Sequence, residues 1–527
     1  MRKSKSIHKY LHPFLFGIYP LLFLYATNAG KIRPADVVRP GLIILILTCI
    51  ITLIIARYIS EKGRSTLILS FFYLMFFSFG HILGILNKIG LVSKTQPQRY
   101  IFLTLWVFLL VAGCLGIWRL RVIESITNVA IIVILTLLAF PIQGSVAFHF
   151  RERANHAVTT IKRAEITAPA KLRTDNLPDI YYIILDGYGR ADVLNSIYGF
   201  DNSKFIAYLE QKGFFVASNS ITNYNRTVLS LSSSTNLEYI NYLTESEGRD
   251  STNYEIFAEM ISTSRSRNLL ENAGYKIVTI ASGFWATEVD DTDVYLVSPA
   301  SFSSEFERLL LLNTPLGILP GFARFLSYEA HRQRVLFAFD ELKQLSRENN
   351  PTPRFIFAHI LSPHPPFVFG QNGERVNPSY SHYTLRDGND FLGTREEYMR
   401  GYQNQLQYLN SLVMDTIEYI LDNSANPPVI ILQGDHGPGA YTNFESVEKS
   451  CNYERSAILN AYYFPDGRTD MLYPSITPVN SFRVIFDTYL NTNFNLLEDK
   501  SYFGPTPHLL DLTDITNRID ISRCQLP

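Results

Sequence analysis

The first 150 residues fall into five long apolar runs, near 11–28, 41–59, 66–87, 100–118 and 126–148. Charges collect in the short breaks between them, as at Glu61-Lys-Gly-Arg64 and Arg119-Leu-Arg121. Each run is about the ~20 residues that a helix needs to cross a hydrocarbon core of roughly 30 Å. The run from Gly41 to Ala56 is apolar all the way round, whereas the surface helix of a soluble protein keeps a polar face. The pattern predicts an α-helical membrane domain of five spans over residues 1–148. Arg2, Lys3, Lys5 and Lys9 resemble the start of a signal peptide. No small-x-small cleavage site follows, and four more runs come after, so the first run is read as retained.

Residues 149–177 are polar and contain no long apolar run, and they are read as a juxtamembrane connector. From residue 178 short β-rich runs alternate with helical patterns. Ile180–Leu185, Phe214–Ala217, Arg354–Ile360 and Pro428–Gln433 read as strands. Asn202–Gly213 and Leu269–Gly274 read as helices closed by glycine. Tyr402, Leu406, Leu409, Val413, Ile417 and Ile420 are spaced by 4, 3, 4, 4 and 3, which marks one face of a long helix. Alternating strands and helices predict an α/β domain over 178–527, a largely parallel sheet with helices on both faces. Ligands of such sheets bind at the carboxyl ends of the strands.

Charge sharpens the division. The net charge of −1 over 527 residues hides 15 basic against 3 acidic residues in 1–150, or +12. The remainder holds 32 basic and 45 acidic residues, or −13, so the larger domain is acidic and no nucleic-acid role is expected. With the N-terminus inside, inner breaks carry nine Lys and Arg and outer breaks six. This orients the chain in the cytoplasmic (inner) membrane with its C-terminal domain on the extracytoplasmic side.

The candidate chemistry stands where the strands end. Asp186 follows the first strand in Leu-Asp-Gly-Tyr, His364 follows another in Ser-Pro-His-Pro-Pro-Phe, and Asp435 and His436 follow a third in Gly-Asp-His-Gly. A carboxylate plus an Asp-His pair supplies oxygen and imidazole ligands suited to one divalent metal ion, Zn or Mn. Taken singly, an Asp-Gly after a strand is more often a turn and a lone histidine more often structural; the ordered set is what carries weight. The segment 223–234 begins a hydroxyl-rich stretch, whose plainer reading is a capped helix N-terminus. Arg226 within it could add positive charge to a site, but it reads most simply as a surface residue.

The motifs Leu-Asp-Gly-Tyr, Arg-Thr-Val-Leu-Ser-Leu, Pro-His-Pro-Pro-Phe and Gly-Asp-His-Gly together resemble the sulfatase-like branch of the alkaline phosphatase superfamily. The architecture is similar to that of membrane-bound lipoteichoic acid synthases and phosphoethanolamine transferases. The resemblance implies that Asp186, Asp435 and His436 are metal ligands and that Thr227 is the nucleophile and a further ligand, with Thr222 and Ser230 as neighbouring hydroxyls. It implies that His364 meets the transferred or leaving group, and that one ion, Zn or Mn with Mg as a third choice, is the cofactor. It implies a membrane lipid donor and a cell-envelope glycan or lipid acceptor. The Cys-x-Pro-Ser-Arg motif of true sulfatases is absent, which favours phosphoryl transfer through threonine over sulfate-ester hydrolysis. The expected activity is therefore a membrane-anchored, metal-dependent hydrolase or transferase acting on phosphodiester headgroups through a phosphothreonine intermediate.

Three other readings stand beside it. A sulfuric or phosphoric ester hydrolase would share the first half-reaction. A transporter would carry charges inside its spans, and these hold almost none apart from His81. A non-catalytic binding descendant would have no need of the Asp, Thr and Asp-His set. The substrate pocket is expected from segments 284–330 and 368–400, including Tyr380, His382 and Tyr383. Cys451 and Cys524 are candidates to pair in an oxidising compartment.

Overall fold

The structure, a computed structural model, describes residues 10–29, 34–58, 62–92, 96–162, 177–299, 305–319, 322, 328–376 and 384–524. Tyr380, His382 and Tyr383 lie outside the described residues, as do residues 163–176 of the connector, whose first part, 149–162, continues the helix that begins at Ile123. The chain divides into two compact units, residues 1–156 with 302–327, and residues 157–301 with 328–527.

The first unit contains the helices α1 (His12–Thr27), α2 (Pro34–Tyr58), α3 (Lys62–Lys88), α4 (Gln96–Arg119) and α5 (Ile123–Lys162). Four of them, α2 to α5, are long and apolar enough to cross a membrane, and α1 is a shorter apolar helix of 16 residues. Leu42, Leu53, Ile101, Phe108, Ile132 and Phe140 remain largely exposed, an apolar exterior that only a lipid environment satisfies. Two pairs of polar side chains meet inside this unit. Thr48 Oγ1 lies 2.7 Å from Tyr73 Oη, and His12 Nδ1 lies 2.7 Å from Ser70 Oγ. The helix Glu305–Leu312 joins this unit although it lies between strands of the α/β domain in sequence. Phe306 and Leu310 pack with Leu21, Tyr25 and Ile44, Arg39 Nε donates to Glu307 Oε1 at 2.7 Å, and Gly80 N donates to Asn313 O at 2.8 Å.

The second unit is built on a seven-stranded sheet in the order β2-β7-β6-β1-β5-β3-β4. The strands are β1 (Ile180–Leu185), β2 (Phe215–Val216), β3 (Lys276–Ile280), β4 (Val294–Leu296), β5 (Arg354–Ile360), β6 (Val429–Gln433) and β7 (Asn460–Tyr463). Strands β6, β1, β5, β3 and β4 run parallel, and β7 pairs antiparallel with β6 and with β2. Both faces are covered. Ile180, Tyr182 and Ile184 belong to one buried cluster and Tyr181, Ile183 and Leu185 to the other, so β1 is apolar throughout because it faces two cores. On the second face lies the helix Arg395–Asn423, which buries all six apolar residues of its predicted stripe. A short pair of strands, Tyr502–Phe503 with Thr513–Asp514, completes the C-terminal region.

Two residues of that long helix hold the loops that carry the chemistry. Tyr402 Oη donates to Gly187 O at 2.9 Å and accepts from Gly189 N at 3.1 Å, which fixes the turn after β1. Gln405 accepts from Val368 N at 2.7 Å and donates to the carbonyls of Pro363 and His364, both at 3.2 Å. Cys451 and Cys524 form a disulfide across 73 residues, tying the C-terminal segment to the start of the helix Asn452–Ser456.

Candidate active site and metal centre

The parallel register aligns Ile184 of β1 with His359 of β5 and with Gln433 of β6. The residues that follow these positions therefore converge above the middle of the sheet. The chain must turn at once after Asp186, and Gly187 does so with a φ of +77°, in the region that side chains disfavour. The Gly187 N–H then donates to Asp435 Oδ1 at 3.0 Å and locks the two carboxylate loops together. At Gly437 a Cβ would stand 2.0 Å from Glu454 O, so only glycine allows the loop after His436 to pass there.

Four predicted residues are brought together. Thr227 opens the helix Thr227–Asn236, and its Oγ1 lies 3.0 Å from His436 Nε2. His436 Nε2 lies 3.5 Å from Asp186 Oδ1 and 3.3 Å from Asp435 Oδ2. His436 Nδ1 lies 3.0 Å from Gly437 O, and a carbonyl only accepts, so the proton sits on Nδ1 and Nε2 presents its lone pair. Burial first, and then the charge of Arg455, push the His436 imidazole down to about 4, which keeps it neutral. Burial pushes the Asp186 carboxyl up, but His364, His359 and His436 together hold it below the usual carboxylate range. The neighbouring hydroxyls are engaged elsewhere. Thr222 Oγ1 donates into the carbonyls of Asp435 and Tyr224 at 2.5 and 2.9 Å, and Ser230 Oγ lies 3.1 Å from it.

A fifth residue, His359, was not expected. Its Nε2 lies 3.4 Å from Asp186 Oδ2, and its Nδ1 lies 2.8 Å from Thr287 Oγ1, which orients the ring. In sequence it is hidden inside an apolar strand. The available signal was its position one residue before the end of β5, on the same face as Phe355 and Phe357.

Asp186 Oδ1, Asp435 Oδ2 and His359 Nε2 are all buried without a hydrogen-bond partner. One ligand atom from each of these residues can be chosen so that all lie within 4.8 Å of one another. Buried carboxylate oxygens left unpaired are strongly unfavourable unless a cation sits among them. The orphaned atoms and their oxygen and nitrogen chemistry fit a divalent ion such as Zn or Mn.

His364 occupies the adjoining wall. Its ring centroid is 6.1 Å from that of His436, Nδ1 lies 2.6 Å from Pro365 O, and Nε2 lies 3.7 Å from Asp387 Oδ2. Asp387 accepts from Arg455 Nη1 at 2.6 Å and from Tyr398 Oη at 2.7 Å. Burial raises the Asp387 carboxyl, but Arg455 and then His364 outweigh it and hold it at about 2. Arg226 is a correction to the sequence reading. It is only partly exposed: its guanidinium lies 3.5 Å from the ring centroid of Phe444, its Nε is buried, and burial followed by repulsion from Arg455 pushes it down to about 9.

The profile of the sulfatase family matches residues 178–484. The chain belongs to the sulfatase family. It is thus a sulfatase-family enzyme, and its chain also holds four helices long and apolar enough to cross a membrane. Among solved structures, the chain is similar to the C-terminal periplasmic domain of EptC from Escherichia coli, at 14% identity and a TM-score of 0.41, covering 65% of this chain and 94% of that one. It is similar to the lipooligosaccharide phosphoethanolamine transferase EptA from Neisseria meningitidis, an integral membrane protein, at 12% identity and a TM-score of 0.36, covering 92% and 95%. It is similar to a phosphonate monoester hydrolase of Agrobacterium radiobacter at 10% identity and a TM-score of 0.38, covering 62% and 80%. No curated protein matches the sequence.

Proposed function

We propose that this protein is a membrane-tethered phosphotransferase or phosphodiesterase that works on lipid headgroups at the extracytoplasmic face of the inner membrane, using Thr227 as nucleophile. The observation that carries this reading is the placement of the Thr227 hydroxyl 3.0 Å from His436 Nε2, among buried carboxylate oxygens that have no other partner. Asp186, Asp435, His436 and Thr227, with His359 as a further donor, would hold one divalent ion, Zn, Mn or Mg. That ion supplies the Lewis acidity that lowers the pKa of the threonine hydroxyl and offsets charge on the phosphoryl oxygens. The helix Thr227–Asn236 directs its N-terminal dipole at the same place, where negative charge develops.

Ionised Thr227 attacks the phosphorus of a phosphodiester, and the bond to the departing alcohol breaks. His364, beside Asp387, protonates the leaving oxygen. An acceptor hydroxyl on a cell-envelope glycan or lipid, or water, then attacks the phosphothreonine and gives its proton to His364, and the bond from phosphorus to the Thr227 oxygen breaks, restoring Thr227. The membrane helices bring the domain to a donor confined to the bilayer surface. The Cys451–Cys524 disulfide suits an oxidising compartment, in accord with an extracytoplasmic domain.

The test uses the full chain in nanodiscs with headgroup-labelled phospholipids and a mixed envelope extract as acceptor. Label should be released or transferred by the native protein and lost at least 1,000-fold in Thr227→Ala, on the scale of losing a nucleophile. Mass spectrometry of acid-quenched protein should place the labelled phosphoryl unit on Thr227. Full activity in Thr227→Ala removes the assignment.

A further inference from the structure

Arg226 and Arg455 converge on one aromatic ring. Their guanidinium carbons lie 3.5 and 4.9 Å from the centroid of Phe444. Of the two, only Arg455 has a carboxylate within ion-pair distance among the described residues. Arg455 pairs with Asp387 at 2.6 Å and donates to the carbonyls of Asn225 and Gly437, each at 3.0 Å. Arg226 donates to the Thr506 hydroxyl, its Nε is buried without a partner, and no carboxylate of the described residues lies within ion-pair distance of it. Two like charges beside one ring repel each other, and a half-buried guanidinium whose Nε has no partner favours an anionic one.

The rest of the site does not remove this excess. The charges of Asp186 and Asp435 are equal and opposite to that of one divalent ion. Asp387 pairs with Arg455. Arg226, the residue directly before the proposed nucleophile, has no carboxylate at ion-pair distance among the described residues, with Asp387 and Asp390 acting on it only from further away. A continuous set of contacts joins it to the reacting centre: Arg226 to Phe444, Phe444 to Arg455, Arg455 to Asp387, Asp387 to His364, and His364 to His436.

We infer that Arg226 is a specificity-determining residue that binds an anionic oxygen of the substrate, forming with Phe444 and Arg455 an anion-selecting wall separate from the carboxylate centre. A guanidinium seated on an aromatic face keeps its outer N–H groups free for a phosphate or carboxylate. This rests on the proposed reaction for its substrate class, a phosphodiester with at least one negative charge. The anionic oxygen is either on the transferred phosphoryl unit or on a second acidic group of the donor.

The experiment compares the metal-loaded full chain with Arg226→Gln and Arg226→Lys, using inorganic phosphate as the probe in calorimetry. Phosphate Kd should rise about tenfold or more in Arg226→Gln, the loss expected for a charged hydrogen bond, and Arg226→Lys should recover part of it while metal content stays unchanged. A second arm measures kcat/KM for labelled phosphatidylglycerol and phosphatidylserine. An equal fall for both in Arg226→Gln assigns the contact to the transferred phosphoryl unit, and a fall confined to phosphatidylserine assigns it to the second acidic group. Phosphate affinity within twofold of the native value in both variants overturns the inference. So does an equal loss in Arg226→Lys and Arg226→Gln, which would mark a packing role against Phe444. Phosphate binding needs no turnover, so a native protein that transfers nothing defeats the proposed reaction and leaves the Arg226 result readable.

Discussion

Replacing Asp387 by Asn deletes the only carboxylate that pairs with Arg455 among the described residues, while keeping a similar shape and an acceptor for Tyr398. Arg455 is 2% exposed, so its charge cannot turn to water. With charge centres about 4 Å apart and an effective dielectric constant of about 20, the lost attraction is about 4 kcal/mol. Broken buried pairs fall in the same range, about 3–5 kcal/mol. A domain of about 330 residues has an unfolding entropy of about 0.7 kcal/mol/K, so Tm should fall by about 4–7 °C. The assay is thermal and urea unfolding of Asp387→Asn, Arg455→Met and the double variant. Removing both charges should be less damaging than the sum of the single changes, by about 2–3 kcal/mol. A single variant within 1 kcal/mol of the native protein, or strict additivity in the double variant, refutes the reasoning.

Glu454 gives a pH prediction. It is fully buried, accepts from Tyr198 Oη at 2.5 Å and from Tyr441 N at 2.8 Å, and burial raises its carboxyl from 4.5 to about 7. The folded value lies above the unfolded one, so this stabilisation is fully present below pH ~4.5 and is lost as pH rises through ~7, by about 3 kcal/mol in all. Unfolding midpoints between pH 4.5 and 8 should show this fall in the native protein and a flatter profile in Glu454→Gln. Breaking the disulfide with Cys451→Ser and Cys524→Ser should lower stability by about 4 kcal/mol, from the entropy of a 73-residue loop, measured as a fall in urea midpoint. His359→Ala should lose bound metal by mass spectrometry of the purified protein, and His331→Ala, whose Nε2 lies 3.0 Å from Leu361 O, should keep it.

Much of the architecture is set by local pattern. Runs apolar all the way round require a non-aqueous surrounding, whatever else the chain does, and α2 to α5 have the length to cross one. The stripe from Tyr402 to Ile420 needs a sheet to cover it, and Asp186, Asp435 and His436 stand out because tight turns follow the strands there, whereas Thr227 was reached only through the family resemblance. Tertiary structure alone decided the rest. Which strand neighbours β1 depends on long-range pairing, and that register is what brings His359 level with Ile184 and next to Asp186. Whether Arg226 faces water or Phe444 is set by a loop more than 200 residues away. The helix Glu305–Leu312 likewise follows partners in another part of the chain. Periodicity reports which side of an element is apolar. It is silent on which distant charges meet there, because burial and pairing energies belong to the folded arrangement and not to any one segment.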